Sequence, residues 1–106
     1  MIITTTPNIE GKQLTQYLGV VTSQTFVGAS FFKDLIAGLR DIFIRKTGTY
    51  EKVLEEAKQY AVHDLIQKAR QIGANAIVGF RIDYVTVGNN GNMLMVHASG
   101  TAVRIT

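Results

Sequence analysis

The chain has 106 residues, no cysteine and a formal net charge of +3 at neutral pH. This length suits one domain with a modest core, and the lack of cysteine excludes disulfides, thiol nucleophiles and thiolate metal centres. The basic residues are scattered, which argues against nucleic acid as a partner. No apolar run is long enough to cross a membrane, and residues 1–6 do not resemble a secretory signal. We therefore expect a cytoplasmic protein, and the low charged fraction of 18% favours self-association.

Two stretches near the start of the chain have the composition of β-strands. Residues 1–6 form a short stretch that Pro7 ends. Residues 16–26 form a longer one, with apolar side chains separated by threonine and serine. Because its alternation is incomplete, we expect this strand to be covered on both faces.

Two helices are predicted in the middle of the chain. Ser30 suits the N-cap of the first, and apolar residues recur at helical spacing from Phe31 to Phe43. Because this helix is so apolar, we expect it to be buried, in part against a neighbouring subunit. The second is predicted over residues 50–72, with Thr49 as its cap and Gly73 at its end. Its apolar face contains Val53, Leu54, Ala57, Ala61, Leu65, Ala69 and Ile72.

The last third of the chain predicts a β-hairpin. Residues 76–86 and 93–105 are its strands, and Asn90-Gly91 supplies the positive φ angles that the turn needs. Strict alternation in the first strand places Ala76, Val78, Phe80, Ile82 and Tyr84 on one face, and Ile77, Gly79, Arg81, Asp83 and Val85 on the other. The order β-β-α-α-β-β in a single domain, residues 1–106, predicts a two-layer α+β fold. Two helices would cover a mainly antiparallel sheet.

Soft metal ligands share one face of the last predicted strand. Met93, Met95 and His97 alternate along the chain, so their side chains point to the same side. Two thioethers and an imidazole suit Cu(I), which makes a soft metal ion the predicted cofactor. The alternative is that the methionines fill gaps in a core and His97 makes an ordinary hydrogen bond. The outer two ligands are too far apart on one strand to share a tetrahedral ion without distortion or a partner strand.

Two groups of charged residues are further candidate ligand sites. Asp34 and Asp41 lie seven residues apart on the first predicted helix, with Arg40 nearby. They could hold a hard cation or perform acid–base chemistry, and the alternative is a network of surface or interface salt bridges. Arg81 and Asp83 lie on an otherwise apolar strand, where charges need partners. We interpret that pair as a subunit contact rather than a catalytic one, and no catalytic residue is assigned.

Several motifs occur together along nearly the whole chain. They are Tyr17-Leu18-Gly19-Val20-Val21, Ala37-Gly38-Leu39-Arg40-Asp41, Gly73-Ala74-Asn75-Ala76-Ile77-Val78-Gly79, Met93-Leu94-Met95-Val96 and Ser99-Gly100-Thr101-Ala102-Val103. In this set the chain resembles the YbjQ family of small bacterial and archaeal proteins, which are labelled as heavy-metal-binding. The resemblance implies a dodecin-like subunit and a homopentameric ring, without an established activity. The chain departs from the family at residues 43–47, where a glycine-rich stretch is usual, and at His97, where a small polar residue is usual.

These observations predict a ring-forming protein without enzymatic activity that binds a metal ion or small ligand at its subunit boundaries. One alternative is an enzyme whose inter-subunit site uses Asp34, Asp41 and Arg40. Another is a flavin-binding storage protein, by analogy with the dodecin-like fold alone. The absence of tryptophan counts against flavin stacking.

Overall fold

One helix packs against one face of a four-stranded sheet in the computed structural model, which describes residues 1–27, 46–88 and 93–106. The strands are β1 (Ile2–Ile3), β2 (Leu14–Val27), β3 (Ala76–Val87) and β4 (Met93–Ile105), and the helix is α1 (Lys46–Gln71). The strand order across the sheet is β1-β3-β4-β2. No helix in these ranges is long and apolar enough to cross a membrane.

The sheet is mixed. β4 pairs antiparallel with β2 on one side and with β3 on the other, whereas β1 pairs in parallel with β3. The prediction of an α+β domain with four strands is confirmed. The first predicted helix, residues 31–43, and most of the hairpin turn lie outside the described residues, so the order β-β-α-α-β-β stays a prediction.

Helix α1 lies on the sheet through a ridge of small side chains. Ala57, Ala61, Leu65 and Ala69 are all buried, and their spacing of four residues keeps them on one side of the helix. Alanine side chains allow the helix backbone to approach the sheet closely. Because the helix lies close to the sheet, the buried hydroxyl of Ser23 on β2 can donate a hydrogen bond to the Ala61 carbonyl.

The N-terminal end of α1 differs from the prediction, whereas its C-terminal end agrees with it. The helix begins at Lys46, so Thr49 lies inside it and the expected cap at Thr49 was wrong. The C-terminal end agrees with the prediction, because Gly73 adopts a φ of 92° and its N–H bonds to the Arg70 carbonyl at 3.0 Å. The helix ends at Gln71 and the chain turns away at Gly73. Ile72 therefore lies beyond the helix, and its side chain is 45% exposed.

A bulge in β3 shifts the alternation of its side chains. Val78 pairs with Thr101, but the next pair joins Arg81 to Ser99, so β3 contains one residue more than β4 in this interval. Gly79 occupies the bulge with a φ of 61°, in the left-handed region that glycine tolerates best.

Two hydrophobic clusters lie on opposite faces of the sheet, and the bulge changes which side chains of β3 belong to each. Ile77, Phe80 and Ile82 pack on the helix side of the sheet. Ala76 and Val78 belong to a second cluster on the other side. The predicted placement of Ala76, Val78, Phe80 and Ile82 on a single face was therefore wrong, because the extra residue changes the face that later side chains occupy.

The second cluster covers only one end of the sheet's far side. Its buried members are Ala76, Val78 and Val103, and the partly buried side chains of Ile9, Leu14 and Ile105 pack against them. Toward the other end, residues of β2, β3 and β4 on this side remain half-buried or exposed. We call this side, away from α1, the open face.

Candidate metal site on the open face

The predicted soft ligands of β4 all lie on the open face. Met93, Met95 and His97 are half-buried. The residues that alternate with them, Leu94, Val96 and Ala98, are buried in the helix-side cluster. Alternation along β4 thus directs the thioethers and the imidazole away from the helix.

His97 has a carboxylate directly across the sheet. It is paired with Asp83 on β3 and with Gln24 on β2. Side chains that lie directly opposite in an antiparallel pair have Cβ atoms about 4.5–5.5 Å apart. The imidazole of His97 and the carboxylate of Asp83 can therefore reach the same ion.

Spacing along β4 decides which thioether can join them. Residues on one face of a strand recur about every 6.6 Å, so Met95 is the neighbour of His97, and Met93 lies about 13 Å away. Met95 is flanked by apolar partners, Val85 on β3 and Phe26 on β2. A single ion at His97 can thus take the Met95 thioether, whereas Met93 is too distant to share it.

Asp83 already has one charged neighbour. The Nε of Arg81 donates to Oδ1 of Asp83 at 3.2 Å. The side chains of Arg81 and Asp83 are 75% and 37% exposed, so the ion pair contributes about 1 kcal/mol at most. The two charged residues that needed partners thus pair with each other, and the weak pair leaves the carboxylate available to a metal ion.

One chain supplies an incomplete set of ligands. Residues 1–27, 46–88 and 93–106 contain no group of three histidine, cysteine, aspartate or glutamate side chains that could hold a metal ion. Around His97 the open face offers one imidazole, one carboxylate and one thioether within reach of a single ion. This donor set fits a soft or borderline ion whose remaining positions are filled by solvent or by a second copy.

The other predicted site lies elsewhere in the sequence. Asp34, Arg40 and Asp41 all fall outside the described residues. The proposed acid–base or hard-cation site on the first helix therefore stays a prediction.

Two surface grooves run along α1 and were not anticipated from the sequence. One of about 280 Å³ lies between the end of β2 and the helix, with Phe26, Val53 and Tyr60 in its walls. The other, of about 580 Å³, is lined by Glu55, Glu56, Gln59, Tyr60 and His63. In it Gln59 donates to Glu55 at 2.9 Å, and this bond, with nearby Lys58, lowers the pKa of the Glu55 carboxyl. Neither groove contains the candidate metal ligands.

Comparison with known proteins gives a family for the chain. The family model of YbjQ, described as "Putative heavy-metal-binding", matches residues 1–106. A similar solved structure is the 2.73 Å crystal structure of a protein of unknown function from Pediococcus pentosaceus, assigned to the DUF74 family. It is 27% identical to this chain with a TM-score of 0.61, and the match covers 100% of this chain and 98% of that one. The family resemblance read from the motifs is confirmed, and the chain belongs to the YbjQ family.

Proposed function

We propose that this protein binds a heavy-metal ion on the open face of its sheet. The observation that carries the proposal is the meeting of His97, Asp83 and Met95 on that face, two of them directly opposite across the β3–β4 ladder. The description of the family supports the same class of ligand. Copper is the ion that suits these ligands best, because imidazole and thioether bind Cu(I) and imidazole and carboxylate bind Cu(II).

The proposal includes self-association. The family resemblance implies a dodecin-like subunit in a homopentameric ring, and the incomplete ligand set of one chain is consistent with a site at a subunit boundary. A ring of five would carry five equivalent sites. We propose that this assembly works in the cytoplasm, as the sequence predicts.

A titration with copper tests the metal part of the proposal. We expect His97→Ala and Met95→Leu each to weaken Cu(I) binding about tenfold or more, measured by competition with a chromophoric chelator, because each removes one ligand. Met93→Leu is the matched control, since it makes the same chemical change on the same face beyond reach of the ion. Wild-type affinity in both ligand variants would contradict the proposed site.

The enzyme and flavin alternatives gain no support from the described residues. The enzyme depends on Asp34, Asp41 and Arg40, which lie outside them. The flavin alternative rests on the analogy of fold alone.

A further inference from the structure

Exposed apolar side chains are concentrated on the two strands that flank β4. Among the described residues, nine large hydrophobic side chains are exposed, and five of them lie on β2 or β3. These five are Tyr17, Val20, Phe26, Tyr84 and Val85. None of the nine lies on the central strand β4. Single exposed apolar residues are ordinary on a protein surface, but a concentration of them marks an interaction surface.

Both strands that flank β4 also present backbone groups that no described strand uses. β2 pairs with β4 on one side, and no described strand pairs with its other side. On the far side of the sheet, β1 pairs only with Ala76 and Ile77. The carbonyls of Thr4 and Thr6 extend that contact to the N–H groups of Phe80 and Gly79. The outward edge of β3 over residues 81–87 is left without a described strand beside it.

One of the two edges lacks the usual protection against pairing, and the other has it only in part. Exposed edge strands of monomeric proteins are commonly short or contain lysine or proline. β2 has 14 residues, with no charge and no proline among them. In β3, Arg81 and Asp83 are charged, whereas residues 84–87 are uncharged. Such edges favour the addition of another strand.

We infer that β2 of one copy pairs with residues 81–87 of β3 in a second copy, so that subunits join head to tail. This inference rests on the self-association in the proposed function and names its interface. A symmetric β2–β2 contact would cover one edge of each subunit and leave the β3 edge exposed. Head-to-tail pairing covers both edges in every subunit and can close into a ring.

The directions of the two strands determine how they would pair in this contact. β2 and β3 are both antiparallel to β4 and so run in the same direction, which makes the new ladder parallel. Asp83 lies on the β3 edge and pairs with His97, which places the proposed metal site beside the subunit boundary.

The test uses two edge variants and their mixture, analysed by native mass spectrometry. Tyr17→Lys with Val20→Lys charges the β2 edge, and Tyr84→Lys with Thr86→Lys charges the β3 edge. Both leave His97, Asp83 and Met95 in place. We expect the wild type to be oligomeric, each variant to be monomeric, and an equimolar mixture to form a one-to-one heterodimer, because each variant retains the edge that the other lacks.

Controls separate loss of the interface from loss of the fold. Ile72→Lys places a lysine on an exposed apolar residue outside both strands and should keep the wild-type assembly. Circular dichroism should show unchanged secondary structure. If a double variant fails to fold, the single substitutions Val20→Lys and Thr86→Lys repeat the same comparison.

Several outcomes would overturn the inference. A β3-edge variant that assembles like the wild type would indicate symmetric β2 pairing, and a β2-edge variant that assembles would exclude β2 from the interface. Failure of the two monomeric variants to form a heterodimer would exclude head-to-tail pairing. A monomeric wild type would remove the proposed self-association itself. The copper titration compares ligand variants whose strand edges are unchanged, so it tests the metal site separately from the interface.

Discussion

Replacing Leu65 with alanine is expected to lower the free energy of unfolding by about 2–5 kcal/mol. Leu65 is fully buried in the centre of the contact between α1 and the sheet. Its neighbours on the helix face, Ala61 and Ala69, are too small to fill the space that the substitution leaves. Urea unfolding measures the effect as a lower midpoint with an unchanged slope.

Ile72→Ala is the matched control for this prediction. It removes the same number of carbon atoms from a side chain that is 45% exposed, so we expect a loss below about 1 kcal/mol. Both variants should be compared at one protein concentration, since subunit association adds to apparent stability. Equal losses in the two variants would mean that α1 does not pack on the sheet through Leu65.

The buried face of α1 was predictable because helical spacing is a local property. Ala57, Ala61, Leu65 and Ala69 were all expected on that face, and all are buried. The start of the helix was missed because Gly48 suggests a linker. A glycine costs a helix only about 1 kcal/mol, and an established helix can extend through it.

Pairings between distant parts of the chain were harder to predict. The sequence indicated a strand over residues 1–6, but not that β1 would lie parallel to β3. Likewise, strict alternation in residues 76–85 predicted one shared face for Val78 and Phe80. These two side chains lie on opposite faces of the sheet, because the bulge at Gly79 comes between them. A bulge depends on how two strands fit together, and the composition of one strand does not contain that information.

The candidate metal site was only half predicted for the same reason. Alternation placed Met93, Met95 and His97 together, whereas Asp83 was assigned to a separate charged pair. The missing information is the register of the hairpin, in which Asp83 pairs with His97. The turn expected at Asn90-Gly91 would instead pair position 83 with position 98, which lies on the other face. The sequence alone therefore did not join the carboxylate to the imidazole.

Gly100→Ala is the second substitution expected to have a large effect. A Cβ atom at Gly100 would lie 2.5 Å from Cγ2 of Ile77 and 3.3 Å from the carbonyl oxygen of Val78. Ile77 is fully buried, and the Val78 oxygen belongs to the backbone, so neither can move aside at little cost. We expect the free energy of unfolding to fall by about 1–3 kcal/mol, as in other overpacked cores, again measured by urea unfolding.

Gly79→Asn is the control that separates crowding from backbone conformation. Gly79 has a φ of +61°, and nothing lies within 4 Å of a Cβ built there. Asparagine tolerates this conformation better than most residues, so the loss should be smaller than for Gly100→Ala. The opposite ranking would show that positive φ, rather than close packing, limits this part of the sheet.

A double-mutant cycle assigns the cost of Gly100→Ala to its contact with Ile77. Ile77→Ala removes the Cγ2 atom that the new Cβ would meet, so the double variant should lose less stability than the sum of the two single variants. Simple additivity would contradict the clash.

Gly100 faces the bulge that precedes Asp83 in β3, and a forced shift there would alter the pairing of Asp83 with His97. We therefore expect Gly100→Ala also to weaken copper binding, and restoration of binding in the double variant would connect the packing of the bulge to the geometry of the site.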